Sequence, residues 1–156
     1  MNVLELFSGT GSVGKVCDQL GWKSLSVDID GRADITCDIL EWDYKQYKKD
    51  EFDIIWSSPP CASFSILQHG WIGRIKKGYD KPFTHDSQLK QCWYGRKVKK
   101  YKELYSKELH EKEMSEADKI FYKTFEIIDF FNCELWFIEN PYGSLRDRTV
   151  MKNKFY

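Results

Sequence analysis

The glycine spacing Gly9-x-Gly11-x-x-Gly14 constrains this chain more than any other feature. It follows residues 2–7, which read as a short strand. It precedes Val13, Val16, Cys17 and Leu20, which recur at the interval of one apolar helical face. Gly21 stands where a left-handed C-terminal cap is expected. Strand, glycine turn and helix make a βα unit of nucleotide-binding type, in which glycine lets the backbone turn tightly and approach a ligand. Asp28 ends the next strand, residues 24–28, and is placed to accept hydrogen bonds from ribose hydroxyls. The pattern suits nicotinamide, flavin and S-adenosylmethionine alike, and glycines serving only a tight turn would also produce it.

Further strands are expected at residues 35–38, 52–57 and 134–138. Helical segments between them would make the sheet parallel. Ala117, Ile120, Phe121, Phe125, Ile128 and Phe131 form the apolar stripe of a helix before the last strand, with Ser115-x-x-Asp118 suited to a capping box at its start. Five strands with interleaved helices predict an α/β fold, a Rossmann-like open doubly wound sheet, in one domain over residues 1–156. Ligands of such sheets bind at the carboxyl ends of the strands, where Gly9, Gly11, Asp28, residues 58–61 and residues 139–141 all fall.

Residues 66–113 read as an insertion into this pattern. They are punctuated by Gly70, Gly73, Gly78 and Pro82 and then become rich in Lys and Tyr. From Lys90 to Lys112, eight basic residues stand against three acidic ones, interleaved with Trp93, Tyr94, Tyr101 and Tyr105. A solvated helix face and a phosphate-contacting surface account for this segment equally well. The whole chain balances 24 Lys and Arg against 24 Asp and Glu, so it is no histone-like polycation and any electropositive face must be local.

No apolar run exceeds the four residues 135–138, and the first ten residues resemble a strand and turn. Neither a membrane span nor a signal peptide fits, so a soluble protein is expected, in the cytoplasm of a bacterial host or an infected cell, with the nucleus left open. Cys17, Cys37, Cys61, Cys92 and Cys133 include no CxxC pair, and His69, His85 and His110 are scattered. Neither a disulfide framework nor a required metal is expected.

A second constellation lies at residues 53–65, where an apolar strand delivers Cys61 directly after Pro59 and Pro60. Prolines stiffen that approach, as a positioned nucleophile requires, and a cysteine is the side chain closest to being nucleophilic at neutral pH. The plainer role of a free cysteine, a small buried hydrophobe, is expected for Cys17 and Cys133.

Taken in order, Leu4-Glu-Leu-Phe-Ser-Gly-Thr-Gly-Ser12, Val27-Asp-Ile29, Cys37-Asp-Ile39, Pro59-Pro-Cys-Ala-Ser-Phe-Ser65 and Phe137-Ile-Glu-Asn-Pro141 resemble the successive N-terminal motifs of the DNA (cytosine-5) methyltransferase family. The resemblance implies the S-adenosylmethionine-dependent methyltransferase fold and S-adenosylmethionine as cofactor. Phe7 would pack on the adenine, the Ser8, Gly9, Thr10 and Gly11 backbone would receive the methionine part, and Asp28 would hold the ribose. Ile29 would cover the other adenine face, Asp38 would meet the adenine amino group beside Ile39, and Pro60 would line the pocket.

The same resemblance makes DNA the partner and Cys61 the nucleophile that adds to carbon 6 of a flipped cytosine, so that carbon 5 can take the methyl group. Glu139 would act as the acid at ring nitrogen 3, helped by burial that favours its protonated form. Asn140 would fix that loop and Ser65 would touch the adjoining phosphate.

Most bacterial relatives carry Glu-Asn-Val and Pro-Cys-Gln where this chain has Glu139-Asn140-Pro141 and Pro60-Cys61-Ala62. The family also continues beyond the point matching Tyr156 with an arginine-bearing strand, further sheet strands, a target-recognition region and a closing helix. The resemblance therefore implies a C-terminally incomplete sheet without a target-recognition domain: a fragment, a subunit completed by another chain or a second copy, or a remnant that only binds cofactor. The compact form and Lys/Tyr-rich insertion are similar to phage or large-virus relatives, for which restriction-modification is one role. Competing readings are an amino-group methyltransferase using Ser58-Pro59-Pro60-Cys61, an RNA substrate, and, last, a dehydrogenase.

Overall fold

In the computed structural model, which describes residues 1–70, 72–79, 98–140 and 143–148, the first strand is β1 (Asn2–Leu6). It is buried from Val3 to Leu6 on both of its faces, as an apolar run at the middle of a parallel sheet requires. After β1 come α1 (Ser12–Leu20), β2 (Lys23–Asp28), β3 (Ile35–Thr36), β4 (Ile54–Ser57) and α2 (Ile66–His69). Then follow β5 (Ile75–Tyr79), β6 (Val98–Leu104), α3 (Lys107–Phe131) and β7 (Leu135–Ile138).

Five of these strands form one sheet in the order β3-β2-β1-β4-β7, and every neighbouring pair is parallel. The register runs Val3 opposite Ser24 and Ile54, and Ile55 opposite Trp136. Strand order reverses direction between β1 and β4, so the expected open, doubly wound α/β sheet is present. On one face Leu4, Leu6, Val27 and Ile55 pack with Ile127, Ile128 and Phe131 of α3. Each such burial contributes about 1.5–3 kcal/mol. The stripe read from the sequence is thus the buried side of α3, with Ala117, Phe121 and Phe125 in an adjoining cluster around Phe64 and Leu145.

The opposite face carries α1, which ends as expected at Gly21 with φ 67 and the Gly21 amide donating to Asp18 O. Its apolar face is only partly covered: Cys17 is buried, while Val16 and Leu20 are exposed. Beside it Leu135 and Phe137 of β7 remain 45% and 43% exposed, and the outer edge of β7 has no partner among the described residues.

Three expectations are corrected. The connections flanking β3 are not helical. Residues 29–34 form a turn held by Ala33 N donating to Asp30 O, and residues 37–53 contain only the 3-10 turn Tyr44–Gln46. There the rings of Trp42, Tyr44, Tyr47 and Phe52 pack onto Phe130 and Phe131, so aromatic burial replaces a helix.

The long helix begins at Lys107 rather than near Ser115, because Ser106 is its cap and accepts from the Leu109 amide at 3.1 Å. Its first turns hold good helix formers without an apolar stripe, which hid them from a periodicity reading. Finally, the described part of the basic segment is not one helix face: Val98–Leu104 is a strand, antiparallel to Ile75–Tyr79, while residues 90–97 lie outside the described residues. Among the described residues no helix is long and apolar enough to cross a membrane.

Candidate functional site

The turn after β1 departs from ordinary backbone at three of five positions: Phe7, Gly9 and Gly11 have φ of 59, 52 and 66. A Cβ on Gly9 or Gly11 would meet nothing within 4 Å, so conformation and not space demands glycine there. At Gly14 a Cβ would make only ordinary contacts of 3.5 Å with Glu5 and Ser24. The turn is held by Phe7 N donating to Val27 O at 2.8 Å and Gly11 N to Ser8 O at 2.8 Å.

Glu5, 3% exposed on β1, anchors it from below. Its carboxylate accepts from the Val13 amide at 3.2 Å and the Gly14 amide at 3.0 Å, satisfying donors in the first turn of α1. Burial pushes the Glu5 carboxyl up, and these two bonds only partly offset it. Sequence reading passed over Glu5, although an acid inside a buried strand just ahead of a glycine turn was the available signal.

Asp28 joins the turn to β2. One carboxylate oxygen accepts from Gly9 N at 2.8 Å and the other from Asp30 N at 2.8 Å. Each oxygen keeps a lone pair, so the group can still receive further donors.

At the carboxyl ends of the strands, next to the point where strand order reverses, lies a cavity of about 390 Å³. Six of the expected cofactor residues line it: Phe7, Asp28, Ile29, Asp38, Ile39 and Pro60. Val27, Cys37, Ser58 and Ile120 of α3 complete the lining, and of these only Ser58 was expected at the ligand edge. Ser8, Gly9, Thr10 and Gly11 are not part of it; they form the turn beside it, tied in through Asp28. Ile29 is 75% exposed, an apolar side chain open to a flat ligand, whereas Ile39 is buried. Asp38 accepts from the Leu40 amide at 2.9 Å. The lining therefore combines apolar walls with two carboxylates, a composition suited to an aromatic, hydroxyl-bearing ligand.

Pro60, on the cavity wall, is followed at once by Cys61. Strand β4 ends in fully buried Ser57, Ser58 N donates to Leu6 O, and Pro59 is buried, so the segment leaves the sheet on a firm base. Cys61 caps the 3-10 turn Ala62–Phe64, and its carbonyl accepts from the amides of Phe64 and Ser65 at 3.1 Å each. Phe64, 1% exposed, is the anchor in the α3 cluster.

A second loop clamps this one. Glu139 N donates to Ser57 O at 2.8 Å, and Asn140 Nδ2 donates to Pro59 O at 3.2 Å. Ser65 bridges to Gly143, and Ser144 Oγ donates to Phe64 O at 3.3 Å. Arg148 stacks over the Phe64 ring at 5.3 Å while holding Asp118 of α3 at 2.7 and 3.0 Å. Cys61, Ser65, Glu139 and Asn140, up to 79 positions apart in the chain, thus share one sheet end. The expected burial of Glu139 is corrected: it is exposed, because β7 is the edge strand and nothing among the described residues covers its end.

Among the described cysteines Cys61 alone is exposed; Cys17 and Cys133 are buried and Cys37 is half-buried. Burial pushes the thiols of Cys17, Cys37 and Cys133 up. Asp38 adds to that effect at Cys37. Cys92 and His85 lie outside the described residues. Among those described, no three His, Cys, Asp or Glu side chains are grouped to hold a metal ion.

No protein-family model matches this chain. Over 76 residues, 47% of its length, it is 51% identical to a probable DNA (cytosine-5)-methyltransferase of Frog virus 3 (isolate Goorha), and the matched stretch spans 35% of that protein. Motif order, parallel sheet and this relative agree: the chain is similar to the DNA (cytosine-5)-methyltransferases, in a viral form.

Proposed function

We propose that this chain carries the cofactor and nucleophile half of an enzyme that transfers a methyl group from S-adenosylmethionine to carbon 5 of cytosine in DNA. The observation that carries the reading is the placement of exposed Cys61 directly after Pro60 on the rim of the 390 Å³ cavity, with the Glu139–Asn140 loop hydrogen-bonded to the same segment.

The lining fits S-adenosylmethionine on its chemistry. Phe7, Ile29 and Ile39 are apolar walls for a purine, Asp28 retains acceptor capacity for ribose hydroxyls, and Asp38 can meet an amino group. The bound cofactor supplies an electrophilic methyl on sulfonium. Every other step belongs to the chain or the base. The Cys61 thiolate bonds to carbon 6 of the extruded cytosine, and the electron pair of the 5,6 double bond becomes available at carbon 5. In its protonated form Glu139 donates a hydrogen bond or the proton itself at ring nitrogen 3, offsetting the charge that addition develops there, and the extruded base supplies the cover that its exposed position lacks. Once carbon 5 carries the methyl, its proton leaves to water, the 5,6 double bond re-forms, Cys61 is expelled as thiolate and a proton placed on nitrogen 3 returns to Glu139. Asn140 holds the Pro59 carbonyl and so keeps the two loops in register, and Ser65 faces the adjoining phosphate.

Tritiated methyl transfer to cytosine-rich duplex DNA, with cofactor binding followed calorimetrically, tests this. Transfer by the wild type and none by Cys61→Ala, with binding retained in both, is the expected result. Duplexes containing 5-fluorocytosine should give a covalent adduct, because fluorine blocks the final proton loss. Methylation that survives Cys61→Ala would point instead to direct attack by an exocyclic amino group. Binding without transfer would mark a cofactor-binding subunit that needs a complementing chain.

A further inference from the structure

We propose that the β5–β6 ribbon is a clamp for the nucleic-acid backbone that holds DNA next to the Cys61 loop, an assignment resting on the reading of DNA as substrate. In a chain whose charges balance in total, these two strands carry Lys76, Lys77, Lys99, Lys100 and Lys102 against the one acid Glu103.

Their pairing adds what composition could not. Antiparallel register sets Lys77 directly opposite Lys100 and Gly78 opposite Lys99, with a bulge between Ile75 and Lys77. Like charges at paired positions destabilise a ribbon in water and are relieved by a polyanion. A two-stranded antiparallel ribbon has the width of an element that fits a duplex groove.

The root of the ribbon is fixed beside the nucleophile loop. Gly73 N donates to Tyr105 O and Tyr105 N to Arg74 O, both at 2.9 Å, closing the two strands at their base. Tyr105 is 1% exposed and its hydroxyl meets His110 Nδ1 at 3.2 Å and Glu113 at 2.5 Å on the first turns of α3. His110 in turn packs on the ring of His69, at the end of α2, with centroids 4.7 Å apart. Helix α2 begins immediately after Ser65, so the basic strands and Cys61 are joined through a short packed segment.

The test compares the full-length wild type with a variant in which all five ribbon lysines are replaced by glutamine, using fluorescence anisotropy of a labelled cytosine-containing duplex over a range of salt concentration. Each lost phosphate contact should lower the slope of log affinity against log salt by about 0.9. The expected result is at least a tenfold loss of duplex affinity at low salt, a reduced slope, and a raised KM for DNA with kcat and cofactor binding unchanged. Equal affinity and slope in the two proteins would overturn the proposal.

The double variant Lys77→Gln/Lys100→Gln guards against misfolding, since it removes the paired like charges; its thermal stability should hold while its salt slope drops. The matching Lys→Arg set should keep the slope. Anionic phospholipid vesicles and polyglutamate serve as alternative polyanions, and binding to either in preference to DNA would also overturn the assignment. A ribbon-dependent salt slope in a protein that transfers no methyl group would leave the clamp standing and remove the reading of this chain as an enzyme by itself. Methyl transfer with a slope insensitive to the ribbon would do the reverse.

Discussion

Gly143→Ala is a sharp test of whether the two loops at the sheet end act as one unit. Gly143 has φ 179, an extended backbone open to any residue, so the substitution introduces no conformational strain. Its effect is steric. A Cβ there would lie 2.0 Å from Phe64 O and 2.9 Å from Phe64 C, both backbone atoms, and distances under 3.0 Å do not occur for real Cβ atoms. The Phe64 carbonyl and the backbone at Gly143 must therefore part by about 1 Å, at an overpacking cost of about 1–3 kcal/mol. Phe64 N is bonded to Cys61 O, so the displacement reaches the nucleophile.

A misplacement of about 1 Å lowers the rate of a positioned reaction by about 100-fold. The expected outcome is that loss in single-turnover methyl transfer, a parallel loss in the rate of 5-fluorocytosine adduct formation, and unchanged S-adenosylmethionine affinity, because Gly143 does not line the cavity. A variant with wild-type stability and transfer within twofold of the wild type would refute the coupling of the two loops.

The glycine turn should separate its members: Gly11→Ala loses about 1–2 kcal/mol of stability and weakens cofactor binding because its φ is 66, while Gly14→Ala, inside α1, gains about 0.5–1 kcal/mol of stability and leaves cofactor binding unchanged. For Glu5, whose carboxyl burial raises above the ordinary 4.5, the sign follows from linkage. The folded state binds the proton more tightly than the unfolded one, so stability is fully present below the ordinary glutamate value and is lost as pH rises through the raised value. Denaturant titrations from pH 4 upward should show that decline in the wild type and a shallower one in Glu5→Gln; equal slopes would reject it. At the open edge, Leu135→Lys with Phe137→Glu should abolish any self-association detected by sizing the wild type at high concentration, since a bare edge strand with apolar flanks is a pairing site.

Much of this site is legible from local chemistry. Gly9 and Gly11 need left-handed backbone, which is a property of single residues, and the βα unit around them follows from the short-range period of Val13, Val16, Cys17 and Leu20 with Gly21 as its cap. Five strands in chain order with an apolar helix before the last constrain the sheet to a few topologies, and the order observed is one of them. Cys61 between two prolines and a 3-10 turn is equally a local statement. By contrast the start of α3 at Lys107 escaped notice because its first turns are stabilised by Ser106 and helix propensity, neither of which produces a hydrophobic period.

What the linear chain determined by itself is the chemistry on offer: a glycine turn, carboxylates at strand ends, one cysteine poised after two prolines, and a local excess of lysine. What the tertiary structure decided is which of these meet. Only parallel pairing of β4 with β7 brings Glu139 and Asn140 to the Cys61 loop, because the contact joins Asn140 to Pro59, 81 positions apart, through a hydrogen bond that no local propensity encodes. The exposure of Glu139 at the sheet edge and the pairing of Lys77 with Lys100 are decided at the same level. Burial and register are properties of the assembled sheet, fixed when distant segments lose water together, and no window along the chain contains them.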